Sequence, residues 1–208
     1  MLSLGQQIEL LHASTDRPNV VDVPERRLLA LEGIGHPMGP GFREACDALV
    51  ASADAVAAVR RRRTGGPVPL GHLEAIWWKE ETTGWLEAVE SPQPWHSELL
   101  IECPSGVSDD EAVAALVGAA ADPAALPDIE RVRLIRFAEG RCVQILHVGA
   151  FDAKVNLLPW LFGEIAAMGL RVSGRHHEIY VTDPRRTAPN DWRTIVRYPV
   201  APLIPQSA

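Results

Sequence analysis

The chain has 208 residues, a formal net charge of −7 and a hydrophobic fraction of 47%. This length and composition are typical of a soluble globular domain with a sizeable core. The acidic balance argues against non-specific binding to nucleic acid, which requires a basic surface. No apolar run reaches membrane-spanning length and no signal peptide is evident, so we expect a cytoplasmic protein without a membrane partner.

The cysteines and histidines give no metal-binding pattern. Cys46, Cys103 and Cys142 are odd in number, widely separated and without a C-x-x-C motif. This favours reduced core thiols over disulfides or zinc ligands. No H-x-x-x-H or other metal spacing includes His176 and His177, so we expect no metal site.

The first half of the chain predicts the order strand, glycine turn, helix, strand, strand. A first strand covers about residues 20–32, broken near Pro24, and the turn GIGHPMGPG follows. Residues 42–63 predict a helix because they are rich in alanine and have helical apolar periodicity. The segments LEAIWWKEE and HSELLIECP then predict two strands.

The second half repeats this order after a connection of about residues 105–138. The connection predicts a helix capped by Ser108, with Glu111 three residues later, and a further strand. GRCVQILHVGAFD then predicts a strand, AKVNLLPWLFGEIAAMGL a helix, and RHHEIYVTDP and WRTIVRYPV two strands. We therefore predict a single α+β domain over residues 1–208, with βαββ halves at about 20–104 and 139–200. Such units place helices on one face of an antiparallel sheet and a ligand groove on the other.

A glutamate stands in the middle of the strand RHHEIYVTDP, where strands usually avoid it. A period of two puts Glu178 on the same face as His176 and Tyr180. The opposite face, which we expect to face a core, carries His177, Ile179 and Val181. The Glu178 face either points at water or lines a pocket.

The corresponding strand of the first half carries a second carboxylate. Alternation in LEAIWW groups Glu74 with Trp78 and places Trp77 on the other, core-facing side. We expect Glu74 and Trp78 to point the same way as Glu178 and Tyr180. Two matching strands would then each offer a carboxylate and an aromatic ring to one groove.

These motifs together resemble the GyrI-like small-molecule-binding family, and within it the stand-alone cyclopropanoid cyclopropyl hydrolases. The motifs run in family order over roughly residues 20–200: VDVPERRLLALEGIGHPMGPGF, LEAIWW, HSELLIECP, HVGAFD, and HHEIYVTDPRR closing with RTIVRYPV. The resemblance implies a double βαββ (SHS2-type) fold with a ligand groove across its pseudo-twofold axis. It also implies either multidrug binding or hydrolysis of the cyclopropane ring in DNA-alkylating natural products. Fewer than twenty residues precede the first strand, so we expect none of the DNA-binding helix-turn-helix that many relatives carry.

On matching positions, the resemblance makes Glu178 the groove glutamate, Tyr180 its aromatic neighbour and Trp78 the first-half aromatic. Tryptophan and tyrosine rings suit planar aromatic ligands, and burial makes a glutamate a better proton acceptor near neutral pH. Glu178 would deprotonate a water that attacks the cyclopropane. Tyr180, or a protonated Glu74, would donate to the dienone oxygen. We expect this chemistry to need no metal or organic cofactor.

Four further residues are candidate ligand contacts: Trp77, His147, Phe151 and His176. The preferred hypothesis is a hydrolase that gives self-protection, antibiotic resistance or xenobiotic detoxification. The alternative is a non-catalytic protein that sequesters planar or cationic compounds, with Glu178 as the counter-charge. The natural substrate and the oligomeric state are left open.

Overall fold

The computed structural model describes residues 11–37, 39–82, 85–150 and 154–203. The chain forms two compact units. Unit I consists of residues 26–137, and unit II combines residues 1–25 with residues 138–208. No helix within the described ranges is long and apolar enough to cross a membrane.

Both halves of the chain contain strands and helices. The strands are β1 (Asn19–Val23), β2 (Arg26–Ile34), β3 (Leu73–Trp78), β4 (His96–Glu102), β5 (Arg133–Phe137), β6 (Gly140–Val148), β7 (Leu170–Val172), β8 (His176–Tyr180) and β9 (Arg193–Pro202). The helices are α1 (Pro40–Thr64), α2 (Trp85–Glu90), α3 (Asp109–Ala120) and α4 (Lys154–Ala167), besides two short 3-10 turns.

Each unit contains an antiparallel sheet built in the same way. In unit I the strand order is β3-β4-β2-β5, and in unit II it is β8-β9-β6-β1, with the short β7 also paired to β9. In both repeats the last strand pairs with the first two, as the orders β2-β4-β3 and β6-β9-β8 show. The predicted α+β class and the duplicated βαββ order are therefore confirmed.

The first predicted strand is two strands that belong to different units. The break near Pro24 separates β1, which pairs with β6 in unit II, from β2, which pairs with β4 and β5 in unit I. Proline lacks the N–H that a continuous ladder requires, and this explains the interruption. The structure also adds α2 and β7, two short elements that carry too few residues for a periodic pattern.

Local sequence signals explain where α3 begins and where α1 ends in unit I. Helix α3 starts at a complete capping box, in which Ser108 and Glu111 each accept from the other's backbone N–H, as predicted. Helix α1 ends at Gly65, whose φ of 69° is in the left-handed region and whose N–H donates to the Arg61 carbonyl. These caps therefore set the C-terminal end of α1 and the N-terminal end of α3.

The buried face of α1 is apolar and small. Its buried residues include Ala45, Cys46, Leu49, Ala53 and Val56, which follow the helical apolar periodicity that the sequence predicts. All three cysteines are buried, as expected for core thiols.

Gly174, between β7 and β8, offers a test of the packing around β8. A Cβ at this position would lie 2.6 Å from Cγ and 2.8 Å from Cβ of Pro199. We expect Gly174→Ala to lower the free energy of unfolding by ~1–3 kcal/mol, because the rigid proline ring cannot yield easily. Gly118→Ala in α3 is the control: its Cβ meets no atom within 4 Å. In urea denaturation, the control should leave the free energy of unfolding unchanged or raise it by ~0.5–1 kcal/mol. Equal effects of the two substitutions would contradict the close contact between Gly174 and Pro199.

Candidate active site

Strand β8 is buried along its whole length, and none of its residues is more than 8% exposed. Its pairing with β9 places Glu178 opposite Val196 and Tyr180 opposite Thr194. Glu178 therefore shares a face with Tyr180 and with His176, as the alternation predicts. The carboxylate of Glu178 is fully buried, so its surroundings decide what it can do.

The face that carries Glu178 is the face that α4 contacts. Phe162 of α4 meets Tyr198 edge-on, with ring centroids 5.2 Å apart. Tyr198 in turn contacts His176 on the Glu178 side of the sheet. The expectation that Glu178 lies opposite the helix is therefore wrong for unit II. Alternation alone could not decide this, because Ile179 on the other face is as buried, at 2% exposed, as His176 at 3%.

Glu178, His176 and Tyr198 form a continuous hydrogen-bonded chain. Nε2 of His176 lies 2.9 Å from Oε1 of Glu178, and its Nδ1 lies 2.7 Å from the Tyr198 hydroxyl. The three residues are 0%, 3% and 1% exposed, in that order. With Glu178 ionised and the imidazole neutral, His176 donates its Nε2–H to the carboxylate and accepts the Tyr198 O–H at Nδ1.

The environment of Tyr198 keeps its hydroxyl protonated. Burial raises the pKa of Tyr198 well above its usual value, and the neighbouring Glu178 charge raises it further. Tyr198 therefore keeps its proton at physiological pH, but its hydroxyl can still turn from donor to acceptor. Glu178 and His176 are left as the groups able to take up a proton, which is the requirement for a general base.

A separate polar network occupies the opposite face of β8. Nδ1 of His177 lies 2.9 Å from Oε1 of Glu139, and Arg197 donates to Oε2 of Glu139 at 3.3 Å. Arg197 also donates to Oε1 of Gln144 at 2.9 Å. The expected apolar core on this face is thus partly polar, and Val181, which follows β8, is 36% exposed rather than core. The ion pair balances the charge of this network, and we assign it a structural role.

Two further predicted contacts lie on the Glu178 face. Tyr180 is paired with Thr194, which is itself paired with His147 of β6, so the three share a face. Tyr180 and His147 are both 8% exposed. Nε2 of His147 lies 3.2 Å from the Ala150 carbonyl oxygen, so the ring spans the turn after β6. Phe151 lies outside the described residues.

In unit I, Glu74 is held in a buried ion pair. Its two carboxylate oxygens accept from the two terminal nitrogens of Arg26, each at 2.7 Å. Glu74 is 3% exposed and Arg26 is 8% exposed. A bidentate guanidinium stabilises the ionised carboxylate. This geometry argues against the predicted role of Glu74 as a protonated donor.

Glu74 and Glu178 lie on opposite faces relative to the helix of their own unit. Trp77 contacts Phe42 of α1, with ring centroids 5.5 Å apart, so Glu74 is on the face away from α1. Glutamate is second in LEAIWW and third in HHEIYV, and an offset of one residue reverses the face of a strand. The predicted equivalence of the two carboxylates is therefore wrong, although the repeat itself is confirmed.

The two predicted tryptophans have different surroundings within unit I. Trp78 stacks on His96 at 5.5 Å between ring centroids, and its Nε1–H donates to Glu80. It also packs against the buried cluster of Leu28, Ala30, Ile76 and Leu100 on the Glu74 face. Trp77 is 2% exposed and meets Trp95 edge-on, as its core-facing position predicts. A role for either ring in ligand binding stays a prediction.

The histidines of β8 make side-chain contacts rather than a metal centre. Both ring nitrogens of His176 have hydrogen-bond partners, and Nδ1 of His177 contacts a carboxylate. In the part of the chain that the structure describes, no group of three or more His, Cys, Asp or Glu side chains is placed to hold a metal ion.

The sequence of this region matches a known domain family. Residues 99–201, from β4 to β9, match the GyrI-like small molecule binding domain. The chain contains a GyrI-like small-molecule-binding domain. No curated protein matches the chain.

Solved structures similar to this GyrI-like protein include two from Listeria innocua. An uncharacterized conserved protein is 28% identical with a TM-score of 0.79, and the alignment covers 97% of this chain and 100% of that one. A hydrolase is 27% identical with a TM-score of 0.75, again covering 97% and 100%. The EcmrR C-terminal domain, 12% identical with a TM-score of 0.56 over 89% and 98%, is similar in fold alone.

Sequence reasoning missed two residues of the candidate site. Tyr198 contacts His176, the neighbour of Glu178, and Arg26 pairs with Glu74. Alternation along RTIVRYPV places Tyr198 on one face of β9 but does not say which residue of β8 it meets. That contact depends on the strand register, which is visible only once His177 is paired with Arg197. Arg26 follows the predicted break at Pro24, but its contact with Glu74 depends on the pairing of both β2 and β3 with β4.

The Arg26–Glu74 pair can be tested for a structural role. We expect Glu74→Leu to lower the free energy of unfolding by ~3–5 kcal/mol, because it removes the carboxylate that balances a buried guanidinium. The double variant Arg26→Met/Glu74→Leu should recover most of this loss in urea denaturation. The control is Asp54→Asn at the solvent-exposed Arg61–Asp54 pair, where we expect less than ~1 kcal/mol. Additive losses in the double variant would contradict a coupled pair.

Proposed function

We propose that this GyrI-like protein hydrolyses the cyclopropane ring of planar DNA-alkylating natural products of the duocarmycin and yatakemycin type, or of related xenobiotics. The observation that carries the proposal is the fully buried carboxylate of Glu178, hydrogen-bonded to His176 on a face that also carries Tyr180. The likeness to a hydrolase from Listeria innocua over almost the whole chain supports hydrolysis. Ring opening would destroy the electrophile before it reaches DNA.

The proposed reaction adds one water molecule across one carbon–carbon bond. Glu178 accepts a proton from the water as the water oxygen bonds to the cyclopropane methylene. The electron pair of the breaking carbon–carbon bond moves into the dienone, which becomes a phenol. The former dienone oxygen gains a proton, and Tyr180 is the proposed donor. After the product leaves, Glu178 gives its proton to solvent and Tyr180 takes one from solvent, so each turnover consumes no net proton.

The surroundings of Glu178 suit it to the role of base. A carboxylate removed from water is a stronger proton acceptor than an exposed one. His176 fixes the orientation of Oε1 and thereby the direction in which the carboxylate acts. Because Glu178 is not solvent-exposed in this structure, a substrate has to displace the groups over it, and bulk water is then excluded from the reaction.

A non-catalytic binding protein is the second candidate, and the family match to a small-molecule-binding domain favours it. In that case the buried Glu178 carboxylate is a counter-charge for planar cationic compounds. Both candidates use Glu178 and differ in whether the ligand leaves changed. No cofactor or macromolecular partner enters either proposal.

The substitution Glu178→Gln separates the two candidates. Glutamine keeps the size of the side chain but cannot accept the proton, so ring opening should fall by ~10²–10⁴-fold. Affinity for a neutral planar ligand should stay close to that of the wild type. Turnover is followed by mass spectrometry of a duocarmycin-type compound, and affinity by tryptophan fluorescence.

Two further variants complete this experiment. Glu74→Gln, in the other buried pair, should keep ring opening if the protein remains folded. Trp78→Ala should weaken binding in both candidates if the ring is a ligand contact. Undiminished ring opening by Glu178→Gln contradicts the base role. If the wild type shows no turnover and Glu178→Gln binds only cationic ligands more weakly, the results support a binding protein.

A further inference from the structure

We propose that Tyr198 is a positioning residue for ring opening, because its hydroxyl holds the His176 imidazole in the Nε2–H form that donates to Glu178. The inference deepens the proposed function and rests on it. Tyr198 acts through His176 rather than on the substrate, and neither residue exchanges a proton during the reaction. The proton taken from the water stays on the Glu178 carboxyl until it returns to solvent.

The hydroxyl of Tyr198 has a single polar partner in the part of the chain that the structure describes. Its oxygen lies 2.7 Å from Nδ1 of His176, and Tyr198 is 1% exposed. A buried O–H without an acceptor is costly, and Nδ1 is the acceptor within reach. Burial and the charge of Glu178 both raise the pKa of Tyr198, so the hydroxyl keeps its proton and can donate it to this bond.

This contact determines which nitrogen of the imidazole carries the proton. A neutral imidazole has one N–H donor and one acceptor nitrogen. Because Nδ1 accepts from Tyr198, the proton is on Nε2, which lies 2.9 Å from Oε1 of Glu178. In the other form a lone pair on Nε2 would face the carboxylate, and the Tyr198 O–H would lose its acceptor. Both neighbours of His176 therefore favour the same form.

The ring of Tyr198 is held by contacts that do not involve its hydroxyl. Phe162 of α4 meets the ring edge-on, with centroids 5.2 Å apart. The centroid of the His176 ring lies 5.1 Å from that of Tyr198 on the other contact. The substitution Tyr198→Phe keeps the ring that makes these contacts and removes only the hydrogen bond.

The hydrogen bond to Nδ1 has a consequence for the carboxylate. A general base works only when its oxygen is within reach of the proton and correctly aligned. Without the Tyr198 hydroxyl, Nδ1 loses its donor, and the imidazole can rotate or move its proton to the other nitrogen. Glu178 then loses the fixed N–H that orients Oε1. The loss affects the chemical step, so we expect it in kcat rather than in KM.

The kinetic test compares two replacements of Tyr198. We expect Tyr198→Phe to lower kcat for ring opening by ~10–10²-fold with little change in KM. Replacement of Tyr198 by 4-aminophenylalanine, which places an N–H donor where the hydroxyl was, should recover most of this kcat. The control is Ser52→Ala in α1, which removes another fully buried hydroxyl, one that donates to the Ala48 carbonyl at 2.9 Å. The control should keep the kcat of the wild type.

The state of the imidazole can be read without turnover, by ¹⁵N NMR of the histidine-labelled protein. The chain has seven histidines, and the signals lost in His176→Gln assign His176. We expect Nε2 to be protonated and Nδ1 to show the shift of a hydrogen-bonded acceptor. Tyr198→Phe should move the Nδ1 signal away from this value, whereas Ser52→Ala should leave it in place.

The outcomes separate this inference from the proposed function. If Glu178→Gln loses ring opening while Tyr198→Phe keeps the kcat of the wild type, the positioning role is overturned and the hydrolase stands. A proton on Nδ1 in the wild type, or a loss of kcat that 4-aminophenylalanine does not restore, also overturns it. If the wild type opens no ring, the proposed function and the positioning role both fail, whatever the histidine spectrum shows.

Discussion

The hydrogen bond between His176 and Glu178 is the contact on which the candidate site depends. A carboxylate with no solvent exposure is costly to a fold unless its charge is met by a donor. The donor here is an imidazole, 2.9 Å away, that is itself held by Tyr198. The position of all three side chains follows from the register of β8 against β9, so the site is a property of the sheet rather than of a loop.

The two buried glutamates show why the partner matters more than the carboxylate. Glu74 is paired with Arg26, and arginine stays protonated in proteins. The guanidinium therefore keeps Glu74 ionised and engages both of its carboxylate oxygens. Glu178 is paired with histidine, which changes its charge near neutral pH. One pair is a fixed ionic contact, and the other joins a carboxylate to an imidazole, a group that can be neutral or charged. The corresponding strands of the two halves each carry a buried glutamate, but the two residues lie on different faces and have different partners.

Much of the fold followed from the sequence, because glycine turns, helical periodicity and the capping box at Ser108 are local signals. The grouping of Glu178 with His176 and Tyr180 also followed, since it needs only a period of two. The sequence did not predict which face of β8 lies toward α4, because both faces of β8 are buried and carry polar residues. Contacts between strands, such as those of Tyr198 and Arg26, require a register that no single strand encodes.

The central claim is that the Glu178 carboxylate activates a water for ring opening, and isotope incorporation tests it most directly. The wild-type protein is incubated with a duocarmycin-type cyclopropane compound in H₂¹⁸O, and the product is analysed by mass spectrometry. We expect one ¹⁸O atom on the former cyclopropane methylene, formed faster than in buffer by the wild type and ~10²–10⁴-fold more slowly by Glu178→Gln than by the wild type. Recovery of the intact compound, bound but unlabelled, would contradict it.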